Sequence, residues 1–169
     1  MRRLILFRHA KAEPRRAGEE DVDRPLALRG RQDAAIIGAV LASEGLKPDL
    51  ALVSASRRTR ETWDCVTGAF PGARAEVSDG LYNATVEEVM DGVEAAADDA
   101  ETVMVIGHNP GLHELAVNLL IEGGASPAVI ERMSAKFPTA TAAVFLVDPE
   151  GRASFDGLFY AADYGGQGE

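Results

Sequence analysis

The sequence predicts an α/β protein, a three-layer α/β/α sandwich built around a mostly parallel sheet. Apolar runs at residues 4–7, 50–54 and 103–106 have the length and composition of strands that are covered on both faces. Helical patterns lie between these runs, and regular alternation of strands and helices is typical of a parallel sheet. Two further strand-like stretches, residues 142–147 and 153–159, flank a turn and predict a C-terminal hairpin at one edge of the sheet.

Four stretches predict amphipathic helices because apolar residues recur in them at spacings of three and four. These residues are Ala34, Ile37 and Leu41 in the first stretch, Trp63, Val66 and Phe70 in the second, Val86, Val89, Met90 and Val93 in the third, and Leu112, Leu115, Ala116 and Leu119 in the fourth. Thr85 and Glu88 have the spacing of a capping box and should begin the third helix. Asn109 is expected to cap the fourth helix, with Pro110 in its first turn.

Weaker patterns complete the predicted domain. A strand is expected near residues 73–77 and a short helix near residues 128–133. The length fits one domain, which should cover residues 1–163. Residues 164–169 are rich in glycine and are expected to form a flexible tail.

The composition excludes several classes of function. The formal net charge is −10 at pH 7, which argues against nucleic acids and anionic membranes as partners. The single cysteine, Cys65, excludes an internal disulfide and suits a reducing compartment. The apolar stretch near the first residue is too short for a signal-peptide core, and no run approaches membrane-spanning length. These features predict a cytoplasmic location.

Basic side chains follow three of the predicted strands at the point where each strand ends. Arg8 and His9 follow the first run, Arg57 and Arg58 follow the second, and His108 follows the third. The carboxyl ends of parallel strands meet at one edge of a sheet, so these side chains should converge if the strands are neighbours. Two histidines and at least two arginines gathered in an acidic protein indicate a site for a phosphoryl group.

These residue types can transfer a phosphoryl group without a cofactor. Guanidinium groups grip phosphate oxygens in pairs. One imidazole can attack phosphorus and form a phosphoenzyme, while the other donates to an oxygen that gains charge in the transition state. The strand-end pattern alone does not decide which histidine has which role. No spacing of Asp, Glu and His suggests a metal site, so neither a metal nor another cofactor is predicted.

Four segments resemble motifs of the histidine phosphatase superfamily, also called phosphoglycerate-mutase-like, and the resemblance spans nearly the whole chain. Residues 6–12, Leu-Phe-Arg-His-Ala-Lys-Ala, are similar to its signature in the Arg-His-Ala form. Residues 54–62 resemble its second arginine segment, and residues 105–110 resemble its second histidine segment. Residues 23–26, Asp-Arg-Pro-Leu, followed by Arg-Gly at residues 29–30, are similar to the small branch of SixA-type phosphohistidine phosphatases.

The resemblance implies a phosphoglycerate-mutase-like fold and a role for each basic residue. His9 would be the nucleophile that becomes phosphorylated. Arg8, Arg58 and His108 would form the phosphate pocket. In the family, the catalytic arginine stands four residues before a threonine, and this position selects Arg58 rather than Arg57.

Two further basic residues have less specific signals. The resemblance implies that Arg24 adds a flexible phosphate contact from a loop. The alternative is an ordinary residue at the start of the first helix, held by Asp23. His113, the third histidine, flanks an apolar helical stripe and is expected to be a structural or surface residue.

The chain departs from larger members of the family, which carry a carboxylate general acid in a longer lid. The corresponding region here is short, residues 78–84. Asp79, Glu87 and Glu88 are candidate acids by position only, and the two glutamates are explained more simply as first-turn residues favoured by the helix dipole. Substrates with good leaving groups should therefore be preferred. A short lid would also leave the site open to a protein surface.

The resulting hypothesis is a metal-independent phosphatase that forms a phosphohistidine intermediate and acts on protein phosphohistidine. The expected partner is a phosphorylated substrate, with a phosphohistidine-bearing protein domain as the candidate, and neither a nucleic acid nor a membrane. One alternative is a small-molecule phosphomonoesterase that acts on a sugar phosphate or another labile phosphate. The other is a phosphate-binding module without turnover.

Overall fold

A computed structural model describes residues 1–169 and shows one six-stranded sheet. The strands are β1 (Arg3–Arg8), β2 (Leu50–Ser54), β3 (Arg74–Ser78), β4 (Thr102–Gly107), β5 (Ala142–Val147) and β6 (Ala153–Phe159), in the order β3-β2-β4-β1-β5-β6. The strands β1 to β4 are parallel, whereas β5 runs antiparallel to β1 and forms a hairpin with β6. The predicted mostly parallel sheet with a C-terminal hairpin at one edge is confirmed.

Five helices cover the two faces of the sheet. They are α1 (Leu28–Ser43), α2 (Arg57–Val66), α3 (Val86–Ala96), α4 (Gly111–Glu122) and α5 (Pro127–Ala135). In β1, Ile5 and Phe7 pack into the core formed with α1 and α2, whereas Leu4 and Leu6 pack into the core formed with α3, α4 and α5. Strands buried on both faces need apolar residues at every position, which explains the continuous runs in the sequence. No helix combines the length and the hydropathy needed to cross a membrane.

The order of the strands places three strand ends side by side. β4 lies between β1 and β2, and its residue Ile106 pairs with both Phe7 and Val53. Because the three strands are parallel, the residues that follow them emerge at the same edge of the sheet. This edge is therefore where the basic residues of the sequence motifs meet.

Two helix boundaries differ from the sequence predictions. Asn109 does not cap α4, because its Nδ2 donates to the backbone carbonyl of Phe137 at 3.0 Å and Pro110 occupies the capping position. The helix α5 is longer than expected at both ends. It begins after Ser126, whose hydroxyl accepts a hydrogen bond from the first turn.

Residues 164–169, expected to be a flexible tail, lie against the domain in the structure. The backbone N–H groups of Gln167 and Gly168 donate to the carboxylate of Asp33 at 2.9 and 3.0 Å. Asp33 lies on α1 and is only 1% exposed. A buried carboxylate needs hydrogen-bond donors, and this need gives residues 167 and 168 a defined place.

Candidate active site

A cavity of about 160 Å³ opens where β1, β2 and β4 end. It is lined by Arg8, His9, Lys11, Ala12, Arg24, Arg58, Asn83, His108, Asn109, Thr139 and Glu169. The set contains every residue that the sequence predicted for the site. The structure therefore brings both histidines and all three arginines together from distant parts of the chain.

His9 follows β1, and a hydrogen bond to the main chain fixes its ring. Its Nδ1 is 2.7 Å from the carbonyl oxygen of Ala10, and because a carbonyl only accepts, Nδ1 carries the proton. Burial is the largest cause that lowers the pKa of His9, from 6.5 to about 3. The neighbouring His108, Arg58 and Arg8 lower this pKa further, whereas the hydrogen bond to Ala10 opposes them. At neutral pH the ring is uncharged, and Nε2 keeps a lone pair for attack.

His108 follows β4 and lies beside His9, with ring centres 5.3 Å apart. Its Nε2 is 2.7 Å from Oγ of Ser54, and its Nδ1 is 3.4 Å from Nη2 of Arg58. A guanidinium only donates, so in this arrangement Nδ1 accepts and the Nε2–H donates to Ser54. Burial, followed by the charge of Arg58, lowers the pKa of His108 to about 4. A phosphoryl dianion beside the ring would favour its protonated form.

Arg58 reaches the cavity because the first turn of α2 is tied to the chain that follows β1. Oγ1 of Thr62 accepts a hydrogen bond from the backbone N–H of Ala10 at 3.0 Å and donates to the carbonyl of Arg58 at 2.7 Å. Arg57 points elsewhere, since its Nε donates to Glu61. The hydrogen bond from Thr62 to the carbonyl of Arg58 thus explains why the arginine of the site stands four residues before a threonine.

Asp21 is a residue of the site that the sequence analysis did not identify. Its carboxylate accepts hydrogen bonds from Nη2 of Arg58 at 3.1 Å, from Nη1 of Arg24 at 3.2 Å and from the hydroxyl of Tyr82. Its backbone carbonyl accepts a further bond from Arg58 at 2.9 Å. The hydrogen bond from Tyr82 is the largest cause that lowers the pKa of Asp21 to about 2, and both arginines add to it. Asp21 is therefore a charged carboxylate that holds two guanidinium groups.

Arg24 is held by Asp21 and not by Asp23, the partner considered in the alternative interpretation. Its Nε also donates to the carbonyl of Glu13 at 3.0 Å. The side chain is 26% exposed and lies at the edge of the cavity. A guanidinium has five N–H groups, so Arg24 keeps donors for an anion after these two contacts.

Three residues that line the cavity contain buried polar atoms without a hydrogen-bond partner. These atoms are Nε of Arg8, Oδ1 of Asn109 and Oγ1 of Thr139. Buried polar groups in folded proteins nearly always have partners, and three of the five exceptions in this chain line the cavity. Nε of Arg8 can only donate and the hydroxyl of Thr139 can donate, which matches the oxygens of an anion.

None of the three carboxylates considered as general acids lines the cavity. Glu88 completes the predicted capping box with Thr85, so its side chain is engaged at the start of α3. Glu87 and Asp79 are exposed. The carboxylate that does line the cavity is Glu169, which sequence analysis missed because it follows a run that resembles a flexible linker.

His113 lies outside the cavity, in agreement with its expected structural role. Its Nε2 is 2.7 Å from the carbonyl oxygen of Met133, and its ring stacks on Phe137 with centres 5.5 Å apart. No group of three or more His, Cys, Asp or Glu side chains has an arrangement that could hold a metal ion.

The family of the chain follows from its match to known proteins. A sequence model of the histidine phosphatase superfamily (branch 1) matches residues 4–142, a range that includes every predicted residue of the site. The chain belongs to the histidine phosphatase superfamily. Among curated proteins, this histidine phosphatase is similar to the uncharacterized protein Rv1276c of Mycobacterium tuberculosis (strain ATCC 25618 / H37Rv). The two are 38% identical over 142 residues, which cover 83% of this chain and 87% of the relative.

Solved structures place this histidine phosphatase in the SixA-type branch. The protein assigned as phosphohistidine phosphatase SixA in Agrobacterium tumefaciens superposes with a TM-score of 0.82 and 29% identity, covering 94% of this chain and 97% of the other. Phosphoglycerate mutase of Plasmodium falciparum shares the fold, with a TM-score of 0.64 and 19% identity over 94% of this chain and 90% of the other. The predicted phosphoglycerate-mutase-like fold is confirmed.

Proposed function

We propose that this histidine phosphatase hydrolyses phosphohistidine on a protein through a phosphoenzyme formed on His9, without a metal ion. The observation that carries the proposal is the state of His9. Its ring is neutral, and the bond from Nδ1 to Ala10 leaves Nε2 as the nucleophile. It lies in a cavity lined by four cationic side chains, those of Arg8, Lys11, Arg24 and Arg58.

In the first step, Nε2 of His9 attacks phosphorus and the P–N bond of the substrate imidazole breaks. The electron pair of that bond goes to the leaving nitrogen, which takes a proton from solvent. Arg8 and Arg58 bind the nonbridging oxygens and neutralise charge that would otherwise repel the nucleophile. The hydrogen bond from Nδ1 to Ala10 stabilises the positive charge that develops on the attacking ring.

In the second step, water attacks the phosphorus of the phosphorylated His9. The P–N bond to Nε2 breaks, inorganic phosphate leaves and the neutral ring is restored. His108 stands beside the reacting group, and the phosphoryl charge favours its protonated form. It then donates an N–H to a phosphoryl oxygen as charge shifts in each transition state.

The choice of substrate rests on the leaving group. The low pKa of Asp21 keeps its carboxylate ionised, and the carboxyl group of Glu169 is engaged by hydrogen bonds from Arg8 and from the backbone N–H of Thr139. An imidazole needs little help to leave, because solvent can protonate it and its P–N bond is labile. The segment between β3 and α3 spans only residues 79–85, and such a short lid would leave the cavity accessible to a protein surface. The phosphohistidine assignment of the A. tumefaciens relative supports the same substrate class.

The experiment that tests this function combines rapid quenching with a nucleophile variant. The wild-type protein, mixed with a phosphohistidine peptide, should carry phosphate that is labile in acid and stable in base. His9→Ala should show neither this intermediate nor turnover, and His113→Ala serves as the matched histidine control. Wild-type turnover in His9→Ala would contradict covalent catalysis through His9. Phosphate binding without turnover of phosphohistidine, aryl or alkyl phosphates would instead indicate a binding module.

A further inference from the structure

Residues 165–169, called the strap below, are held in place by a buried carboxylate. Both hydrogen bonds that the Asp33 side chain accepts come from the strap, to Oδ1 from Gln167 and to Oδ2 from Gly168. The backbone N–H of Gly166 also donates to the carbonyl of Ala161 at 2.9 Å. The strap supplies both donors to a carboxylate that is only 1% exposed in the folded protein, so these contacts stabilise the strap in this position.

The glycines of the strap are required by its path. A Cβ on Gly166 would lie 2.6 Å from Oδ1 of Asp33 and 2.9 Å from Cβ of Ala161, which leaves no room for a larger residue. Gly168 has φ of +65°, a conformation that other residues rarely adopt. The glycines of the strap therefore fit the path that the strap takes against the domain.

This path delivers the side chain of Glu169 to the phosphate cavity. Its Oε2 accepts hydrogen bonds from Nη1 of Arg8 at 2.7 Å and from the backbone N–H of Thr139 at 3.2 Å. Its Oε1 is 3.9 Å from Nζ of Lys11. Glu169 also borders a neighbouring groove of about 330 Å³, which shares Arg8 and Asn109 with the phosphate cavity. The carboxylate of Glu169 thus lies at the boundary between the phosphate cavity and this groove.

We propose that Glu169 competes with the phosphoryl group for Arg8, so that a substrate must displace this carboxylate to occupy the pocket. The inference rests on the proposed function, in which Arg8 binds phosphoryl oxygens. A carboxylate and a phosphoryl dianion on the same guanidinium repel each other, so the two cannot share it favourably. The dianion has the greater charge and can bind both Arg8 and Arg58, so it can displace Glu169 from Arg8.

If Glu169 competes with phosphate, removing its charge should raise the affinity for phosphate. A merely structural role predicts no such increase. Glu169→Gln removes the negative charge of the side chain and keeps its shape. Inorganic phosphate should therefore bind about fivefold more tightly than to the wild type, as for a partly exposed ion pair. Gly166→Ala should also tighten binding, because its Cβ would push the strap, and Glu169 with it, away from Asp33 without changing the histidines and arginines of the pocket. Glu44→Gln, at the far end of α1, changes the net charge equally and should leave the affinity unchanged.

The measurement is calorimetric titration of each protein with inorganic phosphate at low ionic strength, where charge effects are largest. Unchanged or weaker binding in Glu169→Gln, with the wild type still binding, would overturn the competition and leave the proposed function standing. No binding to any of the proteins would overturn the phosphate pocket and the proposed function together. Tighter binding in Glu169→Gln without hydrolysis in any variant would support the competition while the proposed function fails.

Discussion

Asp21 and Arg58 are joined by two hydrogen bonds, one through the carboxylate at 3.1 Å and one through the backbone carbonyl at 2.9 Å. The same carboxylate binds Arg24 and the hydroxyl of Tyr82, whose ring meets the edge of His108 with centres 5.5 Å apart. One acidic residue therefore links two arginines that line the cavity, Arg58 and Arg24, to a tyrosine that packs against His108. Its charge offsets two guanidinium groups that would otherwise repel each other at short range.

The first prediction concerns Asp21 as a positioning residue. Asp21→Ala should lower kcat about tenfold, because Arg58 loses a charge-assisted hydrogen bond that fixes its fork. KM should not rise, since the same change removes a negative charge beside the phosphate pocket. Steady-state kinetics with p-nitrophenyl phosphate separates the two parameters. Asp23→Ala, two residues along the same loop, is the control and should have no effect. A rise in KM with unchanged kcat would mean that Asp21 serves only binding.

The second prediction follows from the lowered pKa values of both histidines. Burial lowers the pKa of His9 to about 3 and the pKa of His108 to about 4, so their rings should stay neutral as the pH falls from about 7.5 to 5.5. NMR titration of the ring C–H signals measures this directly. A midpoint near 6.5 for either ring would show that burial does not control its charge.

The lowered pKa values of His9 and His108 should also make the protein less stable as the pH falls. In the unfolded chain the two histidines take up protons near pH 6.5, whereas in the folded protein they do so only at about 3 and 4. The free energy of unfolding should therefore fall as the pH drops below about 6.5, by roughly 1.4 kcal/mol per histidine for each pH unit. Urea unfolding of the wild type and of His9→Ala tests this, and the variant should lose less stability on acidification.

The fold was predictable because the central strands are buried on both faces and therefore consist of continuous apolar residues. The central residues of β1, β2 and β4 are all apolar, and their side chains pack alternately into two cores. The strand β3 gave only a weak signal because it lies at an edge and four of its five residues are exposed. The cap of α4 was mispredicted because the side chain of Asn109 binds the distant Phe137, a contact that no local pattern encodes.

The residues of the site also divide into those that local sequence predicts and those that long-range contacts bring to the cavity. His9 and His108 follow strands directly, and Arg58 lies in the first turn of the helix after β2. The sequence therefore implies the sheet edge that carries them. Asp21 and Glu169 lie in segments outside the strands and longer helices, and long-range contacts determine the positions of these segments. Asp21 stands among other acidic residues, and Glu169 follows a glycine-rich run. Their composition is that of ordinary loops, and only the folded structure shows which carboxylate reaches an arginine.

The third prediction concerns His108. His108→Ala should slow turnover about 10²–10³-fold, because it removes a donor aimed at charge that grows in the transition state. The phosphoenzyme on His9 should still form, only slowly, and single-turnover quenching would detect it. His113→Ala provides the comparison, since that histidine contacts Met133 and Phe137 away from the cavity. Complete loss of the intermediate in His108→Ala would assign the nucleophile to His108.

The fourth prediction is that activity does not require a metal ion. The cations of the site are arginine and lysine side chains, which can supply the charge that phosphoryl transfer needs. Turnover of p-nitrophenyl phosphate should therefore be unchanged after dialysis against EDTA. Loss of activity that a divalent ion restores would reveal a metal site formed together with the substrate.

The last prediction separates phosphohistidine hydrolysis from general phosphomonoester hydrolysis. None of the three candidate acids lines the cavity, and Glu169, which does line it, is bound to Arg8 and Thr139. The rate should therefore depend on the leaving group's own stability. It should fall steeply from phosphohistidine and aryl phosphates to phosphoserine and sugar phosphates. Asp79→Asn, Glu87→Gln and Glu88→Gln should each change the rate on phosphohistidine only modestly, and glutamine at position 88 can still complete the capping box.

A positioned general acid contributes about 10²–10⁴-fold, so a loss of that size in one of these variants would identify the acid. Alkyl phosphates hydrolysed as fast as phosphohistidine would lead to the same conclusion, because an alkoxide leaves readily only when it is protonated. Either result would favour a small-molecule phosphomonoesterase. A steep decline along the series, with all three variants active, would instead show that the open and cationic cavity relies on a substrate whose phosphoryl bond is already labile.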